Sequence, residues 1–303
     1  MKNTDITLKR LQKASYICGN IPRTCFQAAV SPTLLRDAED AITKAIKDSD
    51  LSDVTSNLQR GDAIHRAFQI RPSFENRFWN GHLIGPVSDW AFKAIIENMH
   101  QRNMDDAYKF YRAIRGHTDC SQLCGKMFET YFHRFLKNRF QTFTLKSLDN
   151  RPTLEIDFTF NKDNHVVFND LTYRLRLCVE SDTSWYLQPQ CPVFPSFDSF
   201  LYQPKLSQSD FSPLIALQVT TATDHTIKIK GLEKVQKAPK LREPGLNCLR
   251  PGIKRNMIIL FVVPDSEVAF EKQKIDGRKV DHWYKKTTQY VVTIPEEELF
   301  RPT

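Results

Sequence analysis

Read as a run of apolar and polar positions, the first half of the chain has the period of helices. Leu34, Leu35, Ala38, Ile42, Ala45 and Ile46 recur at helical spacing, which puts them on one face. Ser31-Pro32 stands just ahead of them, a side-chain cap followed by a residue whose fixed φ suits the first turn. Trp90, Ala94 and Ile95 mark a second helix, and Tyr108, Tyr111 and Ile114 a third that Gly116 is placed to end. Ala67 to Ile70 is short, apolar and followed by Arg71-Pro72, which predicts a strand. Arg71 to Gly85 carries Phe74, Phe78 and Trp79 among polar residues and reads as a connection that turns its aromatics inward.

Near residues 116–121 the pattern changes. A helix over Ser121 to Asn138 gathers Leu123, Met127, Phe128, Tyr131, Phe135 and Leu136 on one broad face. Strand-like runs follow at Leu154 to Phe160, His165 to Leu171, Tyr173 to Val179, Trp185 to Leu187, Ser196 to Tyr202 and Leu214 to Thr220. A helix is predicted from about Asp224 to Lys237. Met257 to Val263 is continuously apolar, as in a strand covered on both faces, and Tyr290 to Ile294 adds one more. Helix, strands, helix, strand predicts an α/β domain, a mixed sheet flanked by helices, preceded by a mainly helical region. The boundary falls between 1–118 and 119–303.

Composition narrows this little. The chain has 303 residues, 41% hydrophobic and 26% charged, which is ordinary for a globular protein. Lys and Arg number 43 against 35 Asp and Glu, for a net charge of +8. That balance favours polyanionic partners such as nucleic acid or acidic membranes. No apolar run approaches the roughly 20 residues that cross a bilayer, and Met1 to Lys13 lacks the apolar stretch of a signal peptide. An intracellular protein without a membrane partner is therefore expected. Seven scattered cysteines suit free thiols in a reducing compartment. His117, Cys120, Cys124 and His133 come close enough in sequence to raise zinc, but their spacing fits no common finger. Half-buried thiols beside a surface histidine are the favoured reading.

Candidate chemistry begins at Leu214 to Thr220. Side chains alternate along a strand, so Ile215, Leu217 and Val219 share one face and Ala216, Gln218 and Thr220 the other. Two polar groups at the end of an apolar strand would cost about 1–3 kcal/mol each if buried without partners. They line a site, or the strand is leaving the core. Asp198 lies among aromatics in Phe194 to Phe200. An Asp there is paired, binds a metal, or sits in a turn after Pro195. Glu129 stands at the margin of the apolar stripe of its helix, either reaching over the sheet edge or paired at the surface with Lys126 or His133. Asp224, a possible helix cap, is followed by His225, Lys228 and Lys230. Cations at a helix start oppose its dipole unless an anion is near; a solvated lysine pair is the plain alternative.

An acid on the first helix, an Asp on one strand, a polar pair on the next and a lysine-bearing helix resemble the restriction-endonuclease superfamily, the PD-(D/E)XK nucleases. The resemblance implies that Asp198, Gln218 and Glu129 hold Mg²⁺, or Mn²⁺ in its place. Thr220 stands where the family normally has lysine, so Lys228 or Lys230 would supply the positive charge. His225, Lys228 and Lys230 would contact nucleic acid.

More narrowly, Trp185-Tyr186 with Pro189, Phe194 to Phe200, Leu217 to Thr220, His225 to Lys228 and Gly231-Leu232 resemble the nuclease-like region of fungal Crinkler and retrotransposon-hot-spot proteins. That likeness covers about residues 120–295. It implies an effector-like protein of the nucleus, its own cell's or a host's. Those proteins join a P-loop ATPase to the nuclease-like domain. Gly19 to Arg23 resembles the arginine-bearing stretch late in such ATPases, yet no G-x-x-x-x-G-K-[ST] phosphate cradle occurs. The expectation is a truncated member in which Arg23 does not serve ATP hydrolysis. Two functions follow: Mg²⁺-dependent hydrolysis of DNA, or a DNA-binding or interaction module without turnover.

Overall fold

The computed structural model describes residues 6–49, 63–72, 82–102, 104–138, 141–158, 162–181, 183–190, 194–239, 244–265 and 269–301. The chain divides into two compact units, Met1–Met127 with Phe300–Pro302, and Phe128–Leu299 with Thr303.

The first unit opens with three helices, α1 (Leu8–Cys18), α2 (Pro22–Val30) and α3 (Pro32–Asp48). Thr7 caps α1, and Ser31 caps α3 by accepting from the Leu34 N–H at 3.2 Å, with Pro32 behind it as read from the sequence. Ile42, Ala45 and Ile46 are buried, whereas Leu34 is exposed. Gly19, between α1 and α2, has a φ of +72°, and a Cβ there would lie 1.7 Å from the Val87 carbonyl oxygen. Only glycine permits that backbone approach. β1 (Phe68–Pro72) pairs antiparallel with β2 (His82–Pro86), so the latter part of the expected Arg71 to Gly85 connection is a strand. Phe74, Phe78 and Trp79 lie outside the described residues. α4 (Asp89–Arg102) and α5 (Met104–Arg115) match the second and third expected helices.

α6 (Ser121–Asn138) runs as expected, and the division between the units falls within it. Leu123, Met127, Phe128, Tyr131, Phe135 and Leu136 are all buried.

The second unit is a mixed α/β body around one large sheet. Its strands are β3 (Gln141–Ser147), β4 (Leu154–Phe158), β5 (His165–Phe168), β6 (Trp185–Pro189), β7 (Ser199–Tyr202), β8 (Leu214–Val219), β10 (Met257–Pro264) and β12 (Thr287–Ile294). They lie in the order β4-β3-β12-β10-β8-β7-β6-β5. β8, β10 and β12 are parallel neighbours, as are β5 and β6; the remaining pairs are antiparallel. Every residue of β8 and β10 is buried, the condition of strands covered on both faces. A small parallel pair, β9 (Ile227–Lys228) with β11 (Ile275–Asp276), stands apart.

Two expected elements differ. Tyr173 to Val179, read as a strand, belongs to helix α7 (Leu171–Glu180). Its start is capped by Asp170, whose Oδ1 accepts from the Thr172 N–H at 2.8 Å, and Leu171, Leu175 and Cys178 form the buried stripe. The helix expected from Asp224 begins later, as α8 (Ile229–Lys237), and Asp224 does not cap it; the N-cap position is Lys228, without a side-chain bond. Two short helices, α9 (Val280–Tyr284) and α10 (Glu296–Leu299), flank β12 in sequence.

Register assigns the faces. Phe200, Ala216 and Ile259 are aligned across β7, β8 and β10 and share a core with Leu175 of α7 and with Leu232 and Val235 of α8. Ser199, one residue before Phe200, points to the opposite face.

Candidate active site

Asp198 immediately precedes β7. Because Ser199 is aligned with Leu217, Asp198 stands across from Gln218 at the end of an antiparallel pair. Their side chains meet: the Gln218 Nε2 donates to Asp198 Oδ2 at 2.7 Å, and the Val219 backbone N–H donates to the same oxygen at 2.7 Å. The Asp198 backbone N–H donates to the Leu217 carbonyl at 3.0 Å. Two residues twenty apart in sequence, roughly 70 Å along a fully extended chain, are thus joined by strand pairing.

The segment before Asp198 is held by α8. Ser196 adopts a left-handed φ of +64°, and its Oγ accepts from the Lys228 N–H at 2.6 Å. Gly231 lies against the same segment, where a Cβ would come 2.1 Å from the Pro195 carbonyl oxygen.

Glu129 reaches the site electrostatically. Burial raises the Asp198 carboxyl well above the usual carboxylate range, the Glu129 charge raises it further, and the Val219 N–H opposes both. A nearby negative charge that favours a proton on Asp198 equally favours a cation there. By alternation Gln218 belongs to the face of Ala216, while Glu129 rises from α6. Asp198, at the end of β7, is the group common to both.

Three residues that the sequence reading did not assign to the site join it. His133, one turn after Glu129, faces Glu129 Oε1 with its Nε2 at 3.4 Å. Its Nδ1 lies 2.5 Å from the Tyr186 hydroxyl, which donates to Ser199 Oγ at 2.8 Å. His133, Tyr186 and Ser199 are buried. The sequence signal was the i, i+4 spacing of Glu129 and His133, which makes them neighbours on a helix face.

Comparison with family models, with curated proteins and with solved structures returned no match.

The remaining expected residues lie differently. The Thr220 Oγ1 accepts from the Ala222 N–H at 3.0 Å, closing a turn after β8. The Lys228 ammonium forms an exposed pair with Asp276 at 2.7 Å, and Lys230 is exposed. His225 is half-buried; its backbone N–H donates to Gln273 Oε1 at 2.5 Å, and burial holds its imidazole below the ordinary value. It is therefore a weak source of positive charge at neutral pH. Of the zinc alternative, Cys120 and Cys124 are buried, His117 is exposed and His133 is engaged with Tyr186. Among the described residues no group of three or more His, Cys, Asp or Glu gathers to hold a metal.

Asp198 and Glu129 carry hard oxygen donors, the type that would suit Mg²⁺, an ion that usually keeps several waters among its ligands. Gln218 was expected as a ligand; its amide nitrogen is directed at Asp198. The swapped orientation would set two acceptor oxygens against each other, so the network fixes this one.

In the first unit, Gly19 and Asn20 line a cleft of about 380 Å³ with Arg71, Asp89 and Lys126. Arg23 is exposed on α2. Among the described residues no helix is long and apolar enough to cross a membrane.

Proposed function

We propose that the second unit is a restriction-endonuclease-like domain of the PD-(D/E)XK type that hydrolyses phosphodiester bonds of DNA with Mg²⁺ or Mn²⁺. The observation that carries this reading is the 2.7 Å contact between Gln218 and Asp198, beside the Glu129 charge. It joins strand ends separated by twenty residues, in the order in which the sequence pattern presents them. Asp198 and Glu129 would hold the ion. Once bound, the ion would activate water and offset charge at phosphorus. Gln218 and the Val219 N–H hold the Asp198 carboxylate in one orientation, which limits what must reorganise when substrate arrives. The ordered motifs support kinship with Crinkler and retrotransposon-hot-spot proteins, and with it a nuclear setting.

A second reading is favoured by the lysines. The Lys228 ammonium is occupied by Asp276 and the Thr220 hydroxyl by a turn. That arrangement suits a DNA-binding module without turnover.

A plasmid-nicking assay with Mg²⁺ and with Mn²⁺, comparing wild type with Asp198→Ala, tests both. Nicking by wild type alone is expected. Equal nicking by the two proteins removes Asp198 from the role. DNA retention without nicking by either supports the second reading.

A further inference from the structure

We infer that His133 and Tyr186 are positioning residues that tie the helix-borne carboxylate Glu129 to the strand segment bearing Asp198, and so set the geometry of a divalent-cation site between the two acids. This rests on the proposal that Asp198 and Glu129 hold such a cation.

The connection can be followed atom by atom. Glu129 Oε1 faces His133 Nε2 at 3.4 Å, His133 Nδ1 meets the Tyr186 oxygen at 2.5 Å, and the Tyr186 hydroxyl donates to Ser199 Oγ at 2.8 Å. Ser199 is the residue after Asp198. Three buried side chains from α6, β6 and β7 therefore link the two acid-bearing elements. Since Tyr186 donates to Ser199, its oxygen accepts from the His133 Nδ1–H, and Nε2 donates to the Glu129 carboxylate when the imidazole carries both protons, as an ion pair. Metal ligands are commonly oriented by such hydrogen-bonded partners, and losing one typically costs about 10- to 100-fold in metal affinity.

Burial alone does not explain the arrangement. The Glu129 side chain remains 36% exposed, so water could satisfy it without His133. His133 is only 7% exposed at the side chain, and an apolar residue would fill that place without a polar chain to satisfy. What the histidine adds is a fixed direction for the Glu129 carboxylate. Tyr186 lies between His133 and His165, its ring centroid 5.9 Å from the first and 5.0 Å from the second. Removal of the hydroxyl alone therefore leaves the packing of the ring in place.

Three variants of the full chain separate positioning from packing. Tyr186→Phe cuts the link and keeps the ring. His133→Asn keeps a donor near the place of Nδ1, and His133→Gln keeps a polar group near the place of Nε2. Mn²⁺ affinity by calorimetry and melting temperature are read for each, beside wild type and Asp198→Ala. Tyr186→Phe is expected to weaken Mn²⁺ about tenfold. His133→Gln should retain more affinity than His133→Asn, whatever their order in melting temperature. Mn²⁺ affinity within twofold of wild type in Tyr186→Phe and in both His133 variants would overturn the inference and leave the cation site standing. Wild type that does not bind Mn²⁺, or binds it no better than Asp198→Ala, would overturn the cation site itself and the inference with it.

Discussion

His165, on β5, packs against the Tyr186 ring and has a buried Nε2 without a hydrogen-bond partner. Burial lowers its pKa from 6.5 to about 4, and Lys137 and His133 add to the shift. The folded protein therefore keeps this imidazole neutral where the unfolded chain would protonate it. Between pH 6.5 and about 4 the unfolded state binds more protons, so stability falls as pH falls through that window. The full shift corresponds to about 3 kcal/mol at the low end, reduced to about 2 by partial solvent access. His165→Phe keeps a ring against Tyr186 and removes the proton site. Urea unfolding across this pH range should show the variant losing less stability than wild type on acidification; parallel curves would refute the assignment. The neighbouring site illustrates what single residues disclose. Asp198 and Gln218 stood out in the sequence because polar groups interrupted apolar runs. His133 stood out only as a zinc candidate or a surface partner of Glu129, and Tyr186 and Ser199 only as parts of longer motifs, because their link to one another forms only when three elements come together. Considered alone, His133 invited comparison with His117 and two cysteines nearby in sequence, while its partners come from more distant strands.

At the scale of elements, long periodic runs were legible and short ones were ambiguous. α6 met its expected bounds because its apolar stripe covers many turns. α7 carries Leu175, Leu177 and Val179 at alternate positions, a strand's period, yet also Leu171, Leu175 and Cys178 at a helix's. The Asp170 cap decides between them. The expected helix from Asp224 lost its first turn to β9, because Thr226 and Ile227 are β-branched and Ile227 and Lys228 find an extended partner in β11. That shortening matters to the site, since it brings the start of α8 against Ser196 and lets Gly231 touch Pro195. Gly231→Ala should therefore destabilise the protein although alanine favours helices. A methyl 2.1 Å from a backbone oxygen must displace α8 or the segment before Asp198. A loss of about 2–3 kcal/mol is expected in chemical denaturation. A variant as stable as wild type would show that α8 does not press on that segment.

Across the whole molecule, charge is the property that gathers without being contiguous in sequence. Residues 224–239 and 269–286 together hold ten Lys or Arg against five Asp or Glu, although the chain's full excess is only +8. The β9–β11 pair joins the two stretches, and the Lys228 N–H bond to Ser196 joins them to the segment before Asp198. A basic ledge therefore adjoins the carboxylates, and this was not visible from overall composition. Lys230 and Lys274 are exposed on it, neither paired with a carboxylate among the described residues. If DNA phosphates lie along this ledge, each lysine that meets one releases a counterion. Removing it reduces the slope of log affinity against log salt by about 1. The double variant Lys230→Ala with Lys274→Ala should then reduce the slope by about 2. Lys9→Ala, an exposed lysine of the first unit, serves as the control and should leave it unchanged. Fluorescence anisotropy with a labelled duplex over a salt series measures all three. Because the slope counts contacts and not cleavage, it applies equally to the hydrolytic and the binding-only readings. An unchanged slope in the double variant, or an equal fall with Lys9→Ala, would mean that DNA is held by diffuse charge and that the ledge beside Asp198 is not its track.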